Sequence, residues 1–345
     1  MNAAWFAIIA LMLTAYTVLD GFDFGAGIVH RFVARTEAER RTVLAAIGPL
    51  WDGNEVWLLA SGGVLVFAFP RVYAAAFSGL YLPLMIVLWL LILRGISIEF
   101  RSKVNQPLWR EAWDTVFAAS SAAMAVVLGV AIGNVVRGVP LDATGSFHED
   151  LFGGTGLRHP GAIDLYTSVF GLVGLASFGA HGATFLAWKT SGVLSARSAV
   201  AARRLWVAAL VLLALATLLT AIDVPAFREC VLKRPWLWPL PIGAVAAAFI
   251  ARASVSTART LRAFLASCAF LGAMLLATAA ALFPVLLRST IADDFDLDAY
   301  NAASERASLV VGLWVWVPAI ALAIGYFVYL FRSFRGKTDE TGHHY

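Results

Sequence analysis

Apolar runs of about 20 residues recur along the whole chain, separated by short stretches that carry most of its arginine, aspartate and glutamate. Runs of that length match the hydrocarbon thickness of a bilayer when coiled into a helix. Nine spans can be drawn, at roughly 4–29, 49–69, 74–97, 113–136, 162–188, 205–222, 239–253, 263–286 and 307–331; the seventh is short. None alternates as a lipid-facing strand would. Spanning segments must satisfy every backbone group internally, so the pattern predicts an all-α bundle. An odd number of spans puts the two termini on opposite sides of the membrane.

Composition sharpens this picture. Of 345 residues, 60% are hydrophobic and 14% charged, where a soluble protein carries about 25% charged residues; mean hydropathy is +0.78. The net charge of +4 does not point to nucleic acid, because the cations lie in short loops between apolar runs. One alternating set of loops holds Arg31, Arg35, Arg40, Arg41, Arg101, Lys103, Arg110, Lys189, Arg197, Arg203, Arg204, Arg252, Arg259, Arg262, Arg332, Arg335 and Lys337. The other holds Arg71, Arg137, Arg158, Arg228, Lys233, Arg234, Arg288 and Arg306. The positive-inside rule then places the N-terminus outside and the C-terminus in the cytoplasm. The start, "MNAAWFAII", lacks the basic region of a signal peptide and reads as the first span. Phosphate loops, dinucleotide fingerprints and paired-cysteine motifs are absent from the sequence. Cys230 and Cys268 fall at opposite ends of spans, which makes a bond between them unexpected.

Small residues mark close helix contacts. Gly171, Gly174, Ser177, Gly179 and Gly182 line the fifth span, and Gly129 and Gly133 stand four apart in the fourth. Both patterns predict close packing.

The candidate chemistry is a set of charges where a spanning helix should carry none. Asp20 and Asp23 stand three apart in the first span, with Asp20 roughly 10–15 Å from its cytoplasmic end. Span two opens "GPLWDGNEVW", with Pro49 suited to a first turn and Asp52 and Glu55 again three apart; span three carries Arg94 before Glu99. A charge at mid-bilayer costs about 2.5–3.5 kcal/mol on insertion scales, so such residues face the bundle interior and find partners. Three readings stay open on the residues alone. Arg94 pairs with Asp20 or Asp23 while Asp52 and Glu55 favour a helix start; the carboxylates in excess over Arg94 conduct protons; or they bind a cation. Asp20 is the deepest, and Glu55 and Glu99 are closer to the interface.

His181 in "GAHGATF" is a further polar residue inside a span. A lone histidine can ligate haem iron, but hydrogen-bonded packing is the commoner use and the reading adopted here. His30 lies at the cytoplasmic boundary, His148 and His159 in an outside loop, and His343 and His344 in the tail. The chain is expected to bind no haem and no metal.

Five ordered blocks, "LDGFDFGAG", "GPLWDGNEVWL", "FPRVYAAAFSGLYLPL", "FRSKV" and "GVAIGNVVRGVP", closely resemble subunit II of the cytochrome bd-type ubiquinol oxidases, including the cyanide-insensitive branch. The likeness continues more loosely through "GAHGATFLAWKT" and "FPVLLRSTI". It implies a bacterial inner-membrane protein with nine helices, arranged as two four-helix bundles plus one peripheral helix. It further implies a respiratory enzyme that oxidises ubiquinol and reduces dioxygen to water. In that family a haem-bearing subunit I holds three haems, two b-type and one d-type or b-type, and the quinol site. Subunit II binds none of them and is its structurally related partner; quinone, lipids and small accessory subunits complete the list of partners.

Carried over residue by residue, Asp20 matches the first acid of "DGFD" and Asp52 that of "WDGN". Both are associated in the family with a proton route from the cytoplasm. Arg94 matches a buried arginine near them, while Asp23, Glu55 and Glu99 are expected to support the buried charge cluster. Some members carry glutamine where this chain has His181, and a polar packing role survives that exchange. The alternative reading is a proton-coupled secondary transporter. Transporters of that kind often repeat their broken helices in two halves, and "DGFD" and "WDGN" have no counterpart in the second half of this chain.

Overall fold

A computed structural model of the chain describes residues 1–152 and 161–338; Arg158, His159, His343 and His344 lie outside the described residues. The helices are α1 (Asn2–Val33), α2 (Glu37–Ile47), α3 (Trp51–Ala68), α4 (Pro70–Gly79), α5 (Tyr81–Phe100), α6 (Pro107–Arg137), α7 (Leu165–Lys189), α8 (Gly192–Asp223), α9 (Pro225–Leu232), α10 (Pro239–Ser256), α11 (Thr260–Leu282) and α12 (Arg306–Ser333). Strands β1 (Val285–Leu287) and β2 (Leu297–Asp298) pair antiparallel in the loop before α12. The protein is an all-α polytopic membrane protein.

Eight of the helices are long and apolar enough to cross a membrane; α3, with Asp52, Asn54 and Glu55, falls short by that measure. It nevertheless joins the same two ends of the bundle as its neighbours. Trp51 lies beside Gly95 of α5, while Phe67 packs edge-to-face on Trp5 at the start of α1, with ring centroids 5.4 Å apart. The predicted third span is divided. Pro83 has no N–H to donate to Gly79, so the helix stops at Gly79 and restarts as α5, with proline in its first turn. The eighth span ends at Leu282, before Pro284, and its last predicted residues enter β1.

Helix α2 goes beyond the spans read from the sequence. Its cap is reciprocal: Glu39 N donates to Thr36 Oγ1 at 3.2 Å and Thr36 N to Glu39 Oε2 at 3.0 Å. This capping box satisfies two otherwise orphaned donors and fixes the start of an 11-residue helix.

Helices α1, α3, α5 and α6 form one group and α7, α8, α10 and α11 another, joined where α7 packs on α1 and α6. Helix α12 lies outside both and leaves most of its surface uncovered. The seam between the groups is made by small residues, as their spacing predicts. A Cβ on Gly25 of α1 would collide with the Phe178 carbonyl and the Gly182 backbone of α7, and one on Gly182 with Gly25. On α6, a Cβ on Gly129 would collide with the Phe170 carbonyl and come within 2.8 Å of Gly171 Cα. Backbones approach this closely only where side chains are missing.

One end of the bundle gathers the C-terminal ends of α1, α5, α7 and α12 with α2 and the starts of α6 and α8. Arg31 pairs with Glu111, Arg101 with Glu37, Arg197 with Glu39, and Lys189 donates to the Phe334 carbonyl. The opposite end joins the start of α7 to the end of α6 through Arg137, which pairs with Asp164 and, at 3.0 Å, with Glu149. Burial pushes the Glu149 carboxyl up, against the pull of Arg137.

Candidate functional site

The centre of the first helix group is charged. Arg94 of α5 is fully buried and forks between two helices: Nη1 donates to Asp20 Oδ1 at 2.6 Å, and Nη2 donates to Glu55 Oε1. Its guanidinium carbon lies 4.2 Å from the centroid of the Phe24 ring, so one face is occupied by a cation–π contact. Asp20 is fully buried, whereas Glu55 is partly exposed. Asp23 is also fully buried and makes no hydrogen bond or ion pair with the arginine; Asn54 Nδ2 donates to its Oδ2 at 2.7 Å and to the Leu19 carbonyl at 3.1 Å. Asp23 Oδ1, Asn54 Oδ1 and Arg94 Nε are buried with no partner among the described residues.

Local sequence accounts for this arrangement. Asp20 and Asp23 are three apart on α1 and so face α3 and α5 together. Asn54 and Glu55 are adjacent on α3 and turn about 100° from each other, one toward Asp23 and the other toward Arg94. The cluster therefore holds three carboxylates, from Asp20, Asp23 and Glu55, around one guanidinium.

Two of the residues read from the sequence stand apart. Asp52 lies in the first turn of α3, exposed, without a hydrogen bond or ion pair among the described residues. Glu99, expected in the buried cluster, is exposed and leaves it. It is five residues beyond Arg94, about 140° further round α5, so the two side chains cannot face the same partners.

His181 of α7 is fully buried, and both ring nitrogens are engaged. Nε2 lies 3.0 Å from the Val18 carbonyl, which can only accept, so Nε2 carries a proton. Nδ1 lies 2.7 Å from Ser267 Oγ of α11, and the ring stacks on Phe264. These contacts tie α1, α7 and α11 together one turn from the acids. Neither nitrogen is free for iron. Among the described residues there is also no group of three or more histidine, cysteine or acidic side chains that could hold a metal.

A second charged cluster went unread in the sequence. Asp114 of α6, fully buried, accepts from His30 Nε2 at 2.8 Å, Arg101 Nε at 2.6 Å and Arg40 Nη1 at 3.1 Å. Arg101 continues to Glu37 Oε2 at 2.8 Å. Burial would raise the Glu37 carboxyl, but hydrogen bonds from Arg101 and Arg41 outweigh it and hold the group below the usual carboxylate range. Burial likewise opposes the Arg101 charge, and its bonds to Asp114 and Glu37 raise it instead. The signal was an aspartate one residue inside the fourth span, but His30 and Arg101 looked like loop charges. Two arginines and a histidine N–H around Asp114 make a staple rather than an acid in excess.

Helices that enclose an excess of acids around one arginine, in a bundle long and apolar enough to cross a bilayer, define a polytopic membrane protein with a charged interior. Residues 1–334 match the family model for cytochrome bd terminal oxidase subunit II. The chain is 30% identical to cytochrome bd-I ubiquinol oxidase subunit 2 of Escherichia coli strain K12 over 366 aligned positions, covering 97% of this chain and 94% of the relative. It is 30% identical to cytochrome bd ubiquinol oxidase subunit 2 of Bacillus subtilis strain 168, covering 99% and 97%. The fold resembles a chain in the structure of bd oxidase from Geobacillus thermodenitrificans, with TM-score 0.77, 17% identity and coverage of 96% and 98%. The chain belongs to the cytochrome bd terminal oxidase subunit II family.

Proposed function

We propose that this chain is the non-haem subunit of a bd-type terminal quinol oxidase, in which it supports assembly with a haem-bearing subunit I and delivers protons from the cytoplasm. Family membership supports the oxidase, an oxidoreductase complex of the bacterial inner membrane that couples ubiquinol oxidation to reduction of dioxygen to water. It also disfavours the transporter. The haems, two b-type and one d-type or b-type, and the ubiquinol site belong to subunit I; the engagement of both His181 nitrogens supports that division. The haems supply the electron and oxygen chemistry, and this chain holds and moves protons.

The observation that carries the proton role is the buried Asp20–Arg94–Glu55 bridge. Asp52, exposed at the start of α3, exchanges protons with water. Glu55, one turn deeper and partly exposed, takes them next. Arg94 keeps its charge, because guanidinium does not deprotonate in proteins; its task is to hold Glu55 and Asp20 within reach of each other. When Asp20 takes a proton its bond to Arg94 weakens and the carboxyl is freed to turn inward. Asp23, held by Asn54, supports the field of the cluster.

Charge asymmetry supports the direction. The arginine-rich end of the bundle is assigned to the cytoplasm, with the N-terminus periplasmic, and Asp52 and Glu55 lie on that side of α3. Asp20→Asn in the two-subunit enzyme tests the reading. Haem content should stay normal while quinol-driven oxygen uptake falls about tenfold or more, equivalent to about 1.4 kcal/mol or more on the barrier. Asp52→Asn should lose less, since water reaches that site, and small weak-acid buffers should restore it. Full oxygen uptake in assembled Asp20→Asn enzyme would remove Asp20 from the path.

A further inference from the structure

Helices α8 and α10 enclose a cleft that the oxidase reading leaves unused. Its volume is about 470 Å³, and it is lined by Val200, Arg203, Arg204 and Val207 of α8 and Arg252 of α10. None of the three arginine side chains makes an ion pair or hydrogen bond among the described residues, and Arg252 Nε is buried without a partner. The flanking stretches of helix offer no counter-charge. The sequence carries no aspartate or glutamate from 190 to 222 or from 230 to 292. Those stretches include the described parts of α8, α10 and α11 that flank the cleft. The neighbouring cavity between α2 and the start of α8 differs, because its Arg197 is already neutralised by Glu39.

We propose that this cleft binds the phosphate headgroup of an anionic phospholipid. Three guanidinium groups within one concavity match a phosphate in charge and in hydrogen-bond geometry, since each can present two parallel N–H donors to two oxygens. Basic pockets between spanning helices at the cytoplasmic boundary are the usual setting for such headgroups. The apolar part of the ligand also has a place. Val207, Val211 and Leu215 continue the α8 stripe at intervals of four, all exposed, and Val245 and Phe249 are exposed on α10 on the bilayer side of Arg252. A phosphate among the arginines thus leaves its acyl chains running along an uncovered apolar surface. A soluble phosphate would share the arginines and make no use of that surface. The inference requires only that the chain spans a membrane and does not rest on its role in the oxidase.

The test uses the whole two-subunit complex in vesicles of phosphatidylcholine with phosphatidylglycerol, then gentle detergent extraction and mass spectrometry of the lipid that remains bound. The complex should retain phosphatidylglycerol in preference to phosphatidylcholine. Neutralising one arginine, as in Arg204→Gln or Arg252→Gln, should reduce that preference by about fivefold, as expected for loss of one cation near an anionic surface. Arg204→Lys/Arg252→Lys should retain most of it, which separates loss of charge from loss of the fold; haem content checks assembly in every variant. An unchanged preference in an assembled Arg204→Gln/Arg252→Gln complex would overturn the proposal. So would displacement of the lipid by an equal concentration of inorganic phosphate, which would mark the cleft as a soluble-anion site.

Discussion

Arg94 holds two carboxylates from different helices and covers a phenyl ring, so its size and shape matter as much as its charge. Replacing it by glutamine would leave Asp20, Asp23 and Glu55 with no cation. Breaking a buried pair from one side costs about 3–5 kcal/mol, because the remaining charge stays desolvated. Arg94→Gln should therefore lower the unfolding temperature and the yield of assembled complex. Adding Asp20→Asn to that variant should recover part of the loss, as read by thermal denaturation of the purified complex. If the two changes were simply additive, the coupling assigned here to the 2.6 Å contact would be absent. Lysine should be a poor substitute, since a single ammonium cannot reproduce the fork.

At the scale of elements, the helix seams and caps decide how the charged residues meet. Gly25→Ala places a methyl group against the Phe178 carbonyl and Gly182, and only a shift of α1 away from α7 could accommodate it. It should destabilise the complex by about 1–3 kcal/mol, the range of overpacked cores. Gly243→Ala on α10, where nothing lies within 4 Å, should be neutral or stabilising by about 1 kcal/mol through helix propensity alone. A melting-temperature series across the two variants distinguishes seam glycines from incidental ones.

Helix α2 offers a pH test outside the membrane. Burial would raise the Glu39 carboxyl, but bonds from the backbone of Thr36 and Arg35 and from Arg197 outweigh it and lower the pKa. A depressed folded pKa means that the stabilisation is complete above the ordinary carboxylate range and is lost as pH falls through the lower folded value. Thr36→Ala should cost about 0.5–2 kcal/mol through the cap. Glu39→Gln should flatten the fall in stability below about pH 4, as followed by proteolysis of the α1–α2 connection against pH. Protection that stayed equally steep in Glu39→Gln would assign the acid sensitivity to other groups.

These elements also show what could be read in advance. Apolar length was enough for an all-α membrane bundle, though not for where the third and eighth spans break, and the glycine spacing in α7 was enough for the seam, because both depend on neighbours close in sequence. Asp20, Asp23 and Arg94 announced themselves by standing where lipid forbids charge. Helix α2 had its signal in Thr36 and Glu39, which went unused beside the stronger hydropathy pattern. The staple on Asp114 could not be read so directly, since it joins α1, α2, α6 and the loop after α5 through residues far apart in the chain. Glu99 was misplaced for a simpler reason: its nearness to Arg94 in sequence was taken for nearness in space, and five residues of helix turn it away.

For the whole molecule, the decisive property is the difference between its two ends. The helix passes bring Arg31, Arg40, Arg101, Lys189 and Arg197 to one end, bound to Glu111, Asp114, Glu37 and Glu39 or to the close of α12. Arg203, Arg204 and Arg252 line the cleft between α8 and α10 and have no acidic partner among the described residues. The opposite end has fewer cations, and Arg137 there is held by Asp164 and Glu149. An excess of arginine and lysine in short loops is retained on the cytoplasmic side during insertion. The proposed orientation therefore depends on the arginine-rich loops rather than on the acids inside the bundle. A reporter active only in the periplasm should be silent when fused after Phe334 and active when fused in the loop between β2 and α12. Asp20→Asn should leave both results unchanged, because that residue lies within a span. Periplasmic activity of the C-terminal fusion would reverse the assignment, and with it the side from which Asp52 and Glu55 could draw protons.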